Sequence, residues 1–308
     1  MTAVSTRALH SQKIVLAAAA LACWGTAALA QAPTGSRKFD FGGGAAVPGF
    51  TRVQGDEGYS SERGFGFEPG AAIRPVDDGA ASGFVTSDKL FKFSIAVPEG
   101  NYRVTVTLGD RQGESTTTVK AETRRLMLER IHTAAGEVVT RSFLVNVRTP
   151  AMPPGNVLKL DTREINPQTH EAITPTWDDR LTLQFSDSRP CVRAVEIEPA
   201  AAGITVFLIG DSTVTDQTGE PYDTWGQDLP RWFKPSVAIA NYAESGETLK
   251  AFRAQRRWDK VMTEMKPGDY VFIQFGHNDL NQKGHDGIWP REDTMGDWAY
   301  TYAEANTD

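Results

Sequence analysis

Short runs in which apolar and polar residues alternate fill residues 39–199. In the run YRVTVTL every second side chain is apolar, from Tyr102 to Leu108, and the side chains between them are Arg or Thr. A period of two is typical of a β-strand with one buried face. Gly, Pro and Asp separate the runs, and no stretch shows a sustained helical period. The pattern therefore predicts an all-β sandwich over residues 31–200.

The pattern changes in the rest of the chain. Three continuous apolar runs, at 204–210, 237–243 and 270–276, predict buried strands. The segments 223–233 and 248–265 between them have the apolar spacing of helices. Because buried strands alternate with helices, the sequence predicts a parallel sheet covered on both faces, and hence an α/β domain.

The second predicted helix, 248–265, also carries a cluster of positive charge. Arg253, Arg256, Arg257 and Lys260 fall between its apolar positions. We expect these four side chains to form a solvated outer face rather than a binding site for nucleic acid.

The first thirty residues have a different composition. A basic start with Arg7 and Lys13 is followed by the apolar run IVLAAAALACW and the small-residue motif ALA. This order predicts a secretory signal peptide, residues 1–30, cleaved after Ala30, and so a secreted or periplasmic protein. The apolar run is too short to span a bilayer, and no other stretch is apolar enough to do so. Cys23 is not expected to carry a lipid anchor, because the residue three positions before it is alanine rather than leucine.

The net charge bears on the class of partner, and the number of cysteines bears on whether a disulfide can form. The chain of 308 residues has a formal net charge of −7, which becomes −9 without the two cations of the signal peptide. Nucleic acids require a basic surface, so we expect no nucleic-acid partner. Cys191 is the one cysteine after the signal peptide, so an internal disulfide is excluded. It lies in an alternating stretch and is predicted to be a buried structural thiol.

The three predicted parallel strands end in polar residues that have no packing role there. Ser212 follows the first strand, Gly246 the second and Asn278 the third. In an open parallel sheet, reacting groups lie at the carboxyl ends of the strands. A hydroxyl, a close-approach glycine and a carboxamide are the parts of an acyl-transfer site, in which serine attacks and N–H groups stabilise the oxyanion. The simpler alternatives are that Ser212 caps a helix and that Gly246 only serves a turn.

The stretches FLIGDSTVTDQ, NYAESGET and IQFGHND resemble, in order and spacing, the first three sequence blocks of the SGNH (GDSL-type) hydrolases. The GDST form of the first block, with TWGQ after it, is similar to the rhamnogalacturonan acetylesterase branch, which removes acetyl groups from pectin. The resemblance implies a flavodoxin-like α/β domain over residues 204–308 and a nucleophilic Ser212. It also implies an oxyanion hole formed by the N–H groups of Ser212 and Gly246 and the side chain of Asn278, with no cofactor. Residues 39–199 resemble the galactose-binding-like accessory sandwich that precedes this domain in some bacterial members.

The same resemblance implies an Asp-x-x-His motif that supplies the base and the acid that orients it. None of the five histidines has an aspartate three positions before it; these are His10, His132, His170, His277 and His285. We therefore expect residues 204–308 to hold only the N-terminal part of the domain, and this chain to be inactive or severely impaired. His277 follows the third strand, but alternation turns its side chain away from Ser212 if Asn278 faces that serine.

The first functional interpretation is a secreted carbohydrate O-acetylesterase that deacetylates rhamnogalacturonan or a similar acetylated plant cell-wall polysaccharide. Another SGNH esterase or lipase, acting on lipid or aryl esters, is the enzymatic alternative. The third interpretation is a carbohydrate-binding protein with a vestigial hydrolase region. Its sugar-stacking aromatic residues would be Tyr59, Phe65, Phe67 and Trp177. No metal site is expected, because the His-Asp pair at 285–286 and the HND stretch lack a well-spaced fourth ligand. The oligomeric state stays open.

Overall fold

The computed structural model describes residues 35–79, 82–160, 164 and 176–279. Outside them lie the predicted signal peptide and three of the five histidines, His10, His170 and His285. No helix within the described ranges is long and apolar enough to cross a membrane.

Two mainly antiparallel sheets form the β-rich region, which runs from residue 35 to Pro199. Its strands are β1 (Arg37–Asp40), β2 (Thr51–Arg52), β3 (Phe65–Phe67), β4 (Arg74–Val76), β5 (Phe84–Thr86), β6 (Phe91–Ala96), β7 (Gly100–Leu108), β8 (Ser115–Ala121), β9 (Arg125–Thr133), β10 (Val139–Val147), β11 (Ala151–Met152), β12 (Asn156–Val157), β13 (Arg180–Arg189) and β14 (Val192–Pro199). The seven-stranded sheet has the order β10-β7-β14-β1-β2, with β5 on β14 and β4 on β5. The five-stranded sheet has the order β3-β6-β13-β8-β9, and β11 and β12 pair with each other.

The hydrophobic core of the β-rich region lies between these two sheets. Along β7 every second side chain from Tyr102 to Leu108 is buried, as the alternation predicts. From the other sheet, the ring of Phe93 packs against those of Phe39 and Phe41, with centroids 5.1 and 4.9 Å away. The sandwich predicted from the period of two is therefore present.

A three-stranded parallel sheet forms the centre of the parallel-sheet region, residues 204–279. Its strands are β15 (Ile204–Gly210), β16 (Val237–Asn241) and β17 (Tyr270–Gln274), in the order β16-β15-β17. Side chains of β15 enter hydrophobic clusters on both faces, with Phe207 in one cluster and Leu208 in the other. Two-sided burial explains why this strand reads as a continuous apolar run. Among the described strands β17 is an edge, and Ile273 on it is 61% exposed.

The helices of this region are shorter than the sequence predicts. They are α1 (Trp225–Asp228), a 3-10 helix (Leu229–Trp232), α2 (Leu249–Ala254) and α3 (Arg257–Glu264). The predicted helix 248–265 is broken because Arg256 has a φ of 67°, in the left-handed region. The break lets Gln255 turn inward, where its side-chain amide donates to Glu247 Oε1 at 2.7 Å.

The prediction of a solvated cationic face on this segment is wrong for two of its four residues. Arg257 and Lys260 are fully buried. Arg257 Nη2 lies 2.5 Å from Glu164 Oε2, and Lys260 Nζ lies 2.6 Å from Glu99 Oε1. Helix α3 therefore directs its cations into carboxylates of the β-rich region, because a buried charge requires a partner.

Apolar packing also joins the two regions. Met152, Leu158 and Trp177 of the β-rich region enter the same hydrophobic cluster as Phe207 and Tyr242 of the parallel-sheet region. One face of the parallel sheet is thus completed by residues that come earlier in the chain.

Candidate active site

Ser212 lies on the turn that follows β15. The strand ends at Gly210, where a Cβ would lie 2.5 Å from the carbonyl oxygen of Gln274 and 2.8 Å from Val214 Cγ2. Only glycine therefore lets the chain turn here without displacing its neighbours. Buried Asp211 then fixes the turn, because its Oδ1 accepts the backbone N–H and the hydroxyl of Thr213, at 3.0 and 2.8 Å.

The side chain of Ser212 has no structural task among the described residues. It is half-buried, and its hydroxyl makes no hydrogen bond within that part of the chain. The next helix, α1, is capped by Thr224, whose hydroxyl accepts the N–H of Gln227 at 3.2 Å. Ser212 therefore caps no helix, and its hydroxyl is left for another role.

Gly246 lies on the loop that follows β16. Its φ is 82°, a left-handed conformation that favours glycine. This loop contacts the end of the first strand, because the N–H of Glu244 donates to the carbonyl of Gly210 at 3.1 Å. The loop bearing Gly246 and the turn bearing Ser212 are thus neighbours.

Asn278 lies on the loop that follows β17, and its carboxamide reaches the Gly246 loop. Its Nδ2 donates to the carbonyl of Glu247 at 2.9 Å. Asp279 accepts the N–H of Leu249 at 3.0 Å, which adds a second bond between the same two loops. A further bond, from Gln274 Nε2 to Thr213 Oγ1 at 2.5 Å, ties β17 to the first turn. Hydrogen bonds therefore hold all three predicted site segments at one edge of the sheet.

Neither described histidine serves Ser212. His132 is exposed on β9 in the β-rich region, and His277 is exposed on the loop after β17. In the described structure no hydrogen bond connects either imidazole to Ser212. Among the described residues, therefore, neither imidazole is bonded to the candidate nucleophile, and the prediction that strand alternation turns His277 away from Ser212 stays a prediction, because β17 ends at Gln274.

A buried polar network behind Ser212 was missed by the sequence reasoning. Asn241, at the end of β16, donates through Nδ2 to the carbonyl of Val214 at 2.7 Å and to Asp216 Oδ1 at 2.8 Å. Asp216 Oδ2 in turn lies 3.3 Å from Nε of Arg125, which comes from the β-rich region. Asp216 and Asn241 belong to the motifs FLIGDSTVTDQ and NYAESGET, so the sequence could have indicated a role for them in the site. Arg125 belongs to no such motif, and its neighbours in the sequence do not indicate a role in the site.

Burial and nearby charges shift the pKa values of two residues in this network, Asp216 and Arg148. Burial raises the pKa of Asp216 above its ordinary value, although the guanidinium groups of Arg125 and Arg148 act against that rise. Burial, assisted by the positive Arg125, lowers the pKa of Arg148 to about 10. Arg148 stacks on Trp177 and Tyr242, with its Cζ 4.6 and 4.9 Å from the ring centroids. Two buried cations, Arg125 and Arg148, thus act electrostatically on the buried carboxylate of Asp216.

A small cavity opens beside the turn that bears Ser212. Its volume is about 160 Å³, and it has an acidic and hydroxylic lining. The lining residues are Glu164, Thr176, Thr215, Asp216, Gln217, Thr218, Glu244 and Ser245. Such a polar recess at strand ends suits a small hydroxylated group more than an acyl chain.

Burial argues against two of the four aromatic residues considered for sugar stacking. Phe67 and Trp177 are only 4% and 2% exposed. Phe67 belongs to the core of the sandwich, and Trp177 packs against Tyr242. Tyr59 and Phe65 are half-buried and lie beneath the guanidinium groups of neighbouring arginines. No described group of His, Cys, Asp and Glu residues has the arrangement of a metal site.

Comparison with known families covers both regions. Residues 37–147 match the family described as beta-agarase/YXIM esterase-like, galactose-binding domain-like. Residues 208–303 match the GDSL-like lipase/acylhydrolase family. The C-terminal part of this chain is therefore similar to the GDSL-like hydrolases. The predicted family and the predicted galactose-binding-like character of the β-rich region are thereby confirmed.

Two curated proteins and one solved structure show how far the similarity extends. The chain is 26% identical over 261 residues to a Bacillus subtilis protein named uncharacterized esterase YxiM, covering 80% of this chain and 60% of that protein. It is 39% identical over 83 residues to the rhamnogalacturonan acetylesterase RhgT of the same organism, covering 26% of this chain and 36% of that enzyme. The crystal structure of YxiM aligns with a TM-score of 0.32 at 22% identity, over 80% of this chain and 66% of that one. The chain therefore spans less than two thirds of each of these proteins.

Proposed function

We propose that this protein is a carboxylic ester hydrolase of SGNH type that removes acetyl groups from a carbohydrate by acyl transfer to Ser212. The observation that carries the proposal is the hydrogen-bonded edge of the parallel sheet. There the Ser212 turn, the Gly246 loop and the Asn278 loop meet, and the serine hydroxyl makes no bond to described residues. An unbonded hydroxyl at a strand end suits a nucleophile better than a structural serine.

The chemistry follows from these groups. Ser212 Oγ attacks the acetyl carbonyl and forms a tetrahedral oxyanion. The N–H groups of Ser212 and Gly246 and the carboxamide of Asn278 stabilise the oxyanion, and one such donor typically lowers a barrier by about 3 kcal/mol. Collapse releases the sugar hydroxyl and leaves acetyl-Ser212, and water then releases acetate. Asn278 Nδ2 donates one of its two hydrogens to Glu247 in this structure, so the other remains for the oxyanion.

The proton of Ser212 needs an acceptor, and the described residues bring none to it. We therefore propose that the chain of 308 residues acylates and deacylates slowly, because one base serves both steps in a serine hydrolase. With an activated aryl acetate, whose leaving group departs without protonation, acylation should be slowed less than deacylation, so acetyl-Ser212 should accumulate.

Acetylated rhamnogalacturonan or a related plant cell-wall polysaccharide is the proposed substrate. The support is the likeness to a relative named rhamnogalacturonan acetylesterase and the polar, acidic recess beside the site. The basic and apolar composition of residues 1–30 supports export of the protein to the periplasm or the medium.

The test is long incubation of the full chain with an activated aryl acetate, followed by mass spectrometry of the peptide that contains Ser212. We expect acetylation at Ser212 and its complete loss in Ser212→Ala. Ser236→Ala is the matched control, because Ser236 precedes β16 at the amino end of the same sheet. Acetylation that is absent from the wild-type chain, or that persists in Ser212→Ala, would contradict the proposal.

A substrate series separates the enzymatic alternatives. Acetate release from acetylated rhamnogalacturonan in preference to hydrolysis of longer acyl esters supports the carbohydrate substrate. A preference for butyryl or lipid esters would instead assign the site to another class of SGNH esterase.

A further inference from the structure

The turn between β8 and β9 carries the β-rich region to the candidate active site. It consists of residues 122–124, and two of them, Glu122 and Arg124, have φ values of 55° and 62°. Side chains other than glycine seldom adopt this left-handed conformation, so the surrounding contacts must hold it. The conformation directs Arg124 and Arg125 together toward the loop that follows Ser212.

Arg125 is almost completely buried and connects three elements. Its Nη1 donates to the carbonyl of Ile239 on β16 at 2.7 Å, and its Nη2 donates to the carbonyl of Asn146 on β10 at 2.9 Å. Its Nε forms the ion pair with Asp216, 3.3 Å away. One side chain of the β-rich region thus contacts both a strand of the parallel sheet and the loop after Ser212.

A short series of bonds leads from this ion pair to the nucleophile. Asp216 Oδ1 accepts from Asn241, and the same amide nitrogen donates to the carbonyl of Val214. The next residue, Gln217, donates through Nε2 to the carbonyl of Ser212 itself at 3.0 Å. Three groups of the segment 212–217 are therefore fixed by these bonds: the carbonyl of Ser212, the carbonyl of Val214 and the carboxylate of Asp216.

The neighbours of Arg125 hold the far side of the same loop. Arg124 Nη1 donates to the carbonyls of Gln217 and Tyr222, at 3.2 and 2.9 Å. Gln227 Nε2 donates to the carbonyls of Gln217 and Thr123, at 2.9 Å each. Hydrogen bonds therefore join the β8–β9 turn to this loop, and Arg125 adds a buried ion pair with Asp216.

Charge balance makes the ion pair sensitive to substitution. Buried Arg125 and Arg148 face buried Asp216 and Glu122, and the last carboxylate lies 3.8 Å from Arg125 Nη2. Removal of one partner from such a group leaves an uncompensated buried charge, which costs more than loss of an exposed pair.

We propose that Arg125 of the β-rich region is a positioning residue for Ser212, holding the turn of the nucleophile through Asp216. The catalytic consequence rests on the proposed esterase function, whereas the physical coupling does not. The β-rich region is then part of the catalytic unit rather than only an accessory that binds carbohydrate.

Hydrogen exchange of the full chain tests the coupling directly. In Arg125→Met the backbone amides of residues 212–217 should exchange about tenfold faster or more, because a buried charge pair is broken. Arg193→Met is the matched control. It also removes a buried guanidinium, which lies 2.5 Å from Asp78 in an ion pair whose two partners both belong to the β-rich region. That variant should leave exchange at 212–217 unchanged.

Asp216→Asn provides the measurement if Arg125→Met does not fold. The amide keeps an oxygen that accepts from Asn241 but loses the charge that attracts Arg125. We expect faster exchange over residues 212–217 in this variant also. Exchange that stays at the wild-type rate in a folded Arg125→Met or Asp216→Asn chain overturns the proposal.

Acetylation of Ser212 supplies the functional readout. In Arg125→Met the rate constant at saturating aryl acetate should fall about tenfold or more, whereas Arg193→Met should leave it unchanged, because only the first substitution displaces the turn that bears the nucleophile. Faster exchange with an unchanged acetylation rate would reduce Arg125 to a structural role and so overturn the proposal. A wild-type chain that is never acetylated at Ser212 refutes the proposed function, and the exchange experiment then still decides whether Arg125 holds the turn.

Discussion

The β-rich region and the parallel-sheet region build their interiors differently. The aromatic and aliphatic core of the sandwich is drawn wholly from residues between Phe39 and Ile197. One face of the parallel sheet, in contrast, packs on Trp177 and two other residues of the β-rich region. The first region is thus self-contained among the described residues, whereas the second depends on the first for part of its core.

The buried ion pairs of the two regions also differ in where their partners lie. The ion pair of Arg193 and Asp78 lies within the β-rich region. The buried cations of α3 and the carboxylate of Asp216 find their partners across the junction instead. We infer that loss of the sandwich removes the candidate site, while loss of the site leaves the sandwich folded.

The largest effect expected from this asymmetry is that of Phe93→Ala. The ring of Phe93 is fully buried among three other phenylalanine rings, so truncation should lower the free energy of unfolding by about 3–5 kcal/mol. Because the parallel sheet packs on the β-rich region, both should be lost in one transition. Denaturant unfolding followed by circular dichroism and by tryptophan fluorescence measures this.

Phe272→Ala is the control for that truncation. Because Phe272 on β17 is 40% exposed, its truncation should lower the free energy of unfolding far less. Two separate transitions in Phe93→Ala, in which the parallel sheet remains folded after the sandwich unfolds, would show that the parallel sheet does not depend on the sandwich.

The second effect, of intermediate size, is that of Gly210→Ala. The added methyl would press on the Gln274 carbonyl and on Val214, and overpacking of this kind typically costs about 1–3 kcal/mol. We expect acetylation of Ser212 to be lost, since relief of the clash must move the turn. Gly219→Ala, where a Cβ meets no atom within 4 Å, should retain it. Full acetylation in Gly210→Ala would contradict the claim that the close packing at Gly210 positions Ser212.

Much of the fold of both regions, and the position of the candidate site, could be predicted from the sequence. A period of two fixes which face of β7 is buried, and the run at 204–210 coincides with β15 to the residue. The three motifs after Gly210, Asn241 and Gln274 could be placed at one edge because parallel strands share their carboxyl ends. These inferences need only neighbours along the chain and one rule of topology.

Contacts across the junction could not be predicted in the same way. The partners of Arg257 and Arg125 lie more than ninety positions away in the sequence, at Glu164 and Asp216. Local spacing correctly identifies the polar positions of the segment 248–265, but residues of the β-rich region cover two of them, Arg257 and Lys260. Helical periodicity shows which positions of a helix are apolar and which are polar. It does not show which residues from elsewhere in the chain pack on the polar face.

The smallest expected effect comes from the thiol of Cys191, and it reports on the β-rich region alone. Cys191 is fully buried, and burial raises the pKa of its thiol to about 11. At pH 8 this higher pKa lowers the thiolate fraction about a hundredfold, and the fold also blocks access to the thiol. A disulfide reagent should therefore react only after the sandwich opens. In a Cys23→Ser background we expect Gly210→Ala to leave this reaction as slow as in the wild type, and Phe93→Ala to accelerate it. Equal acceleration in both variants would mean that the sandwich opens whenever the parallel sheet does, which would make the dependence between the two regions mutual.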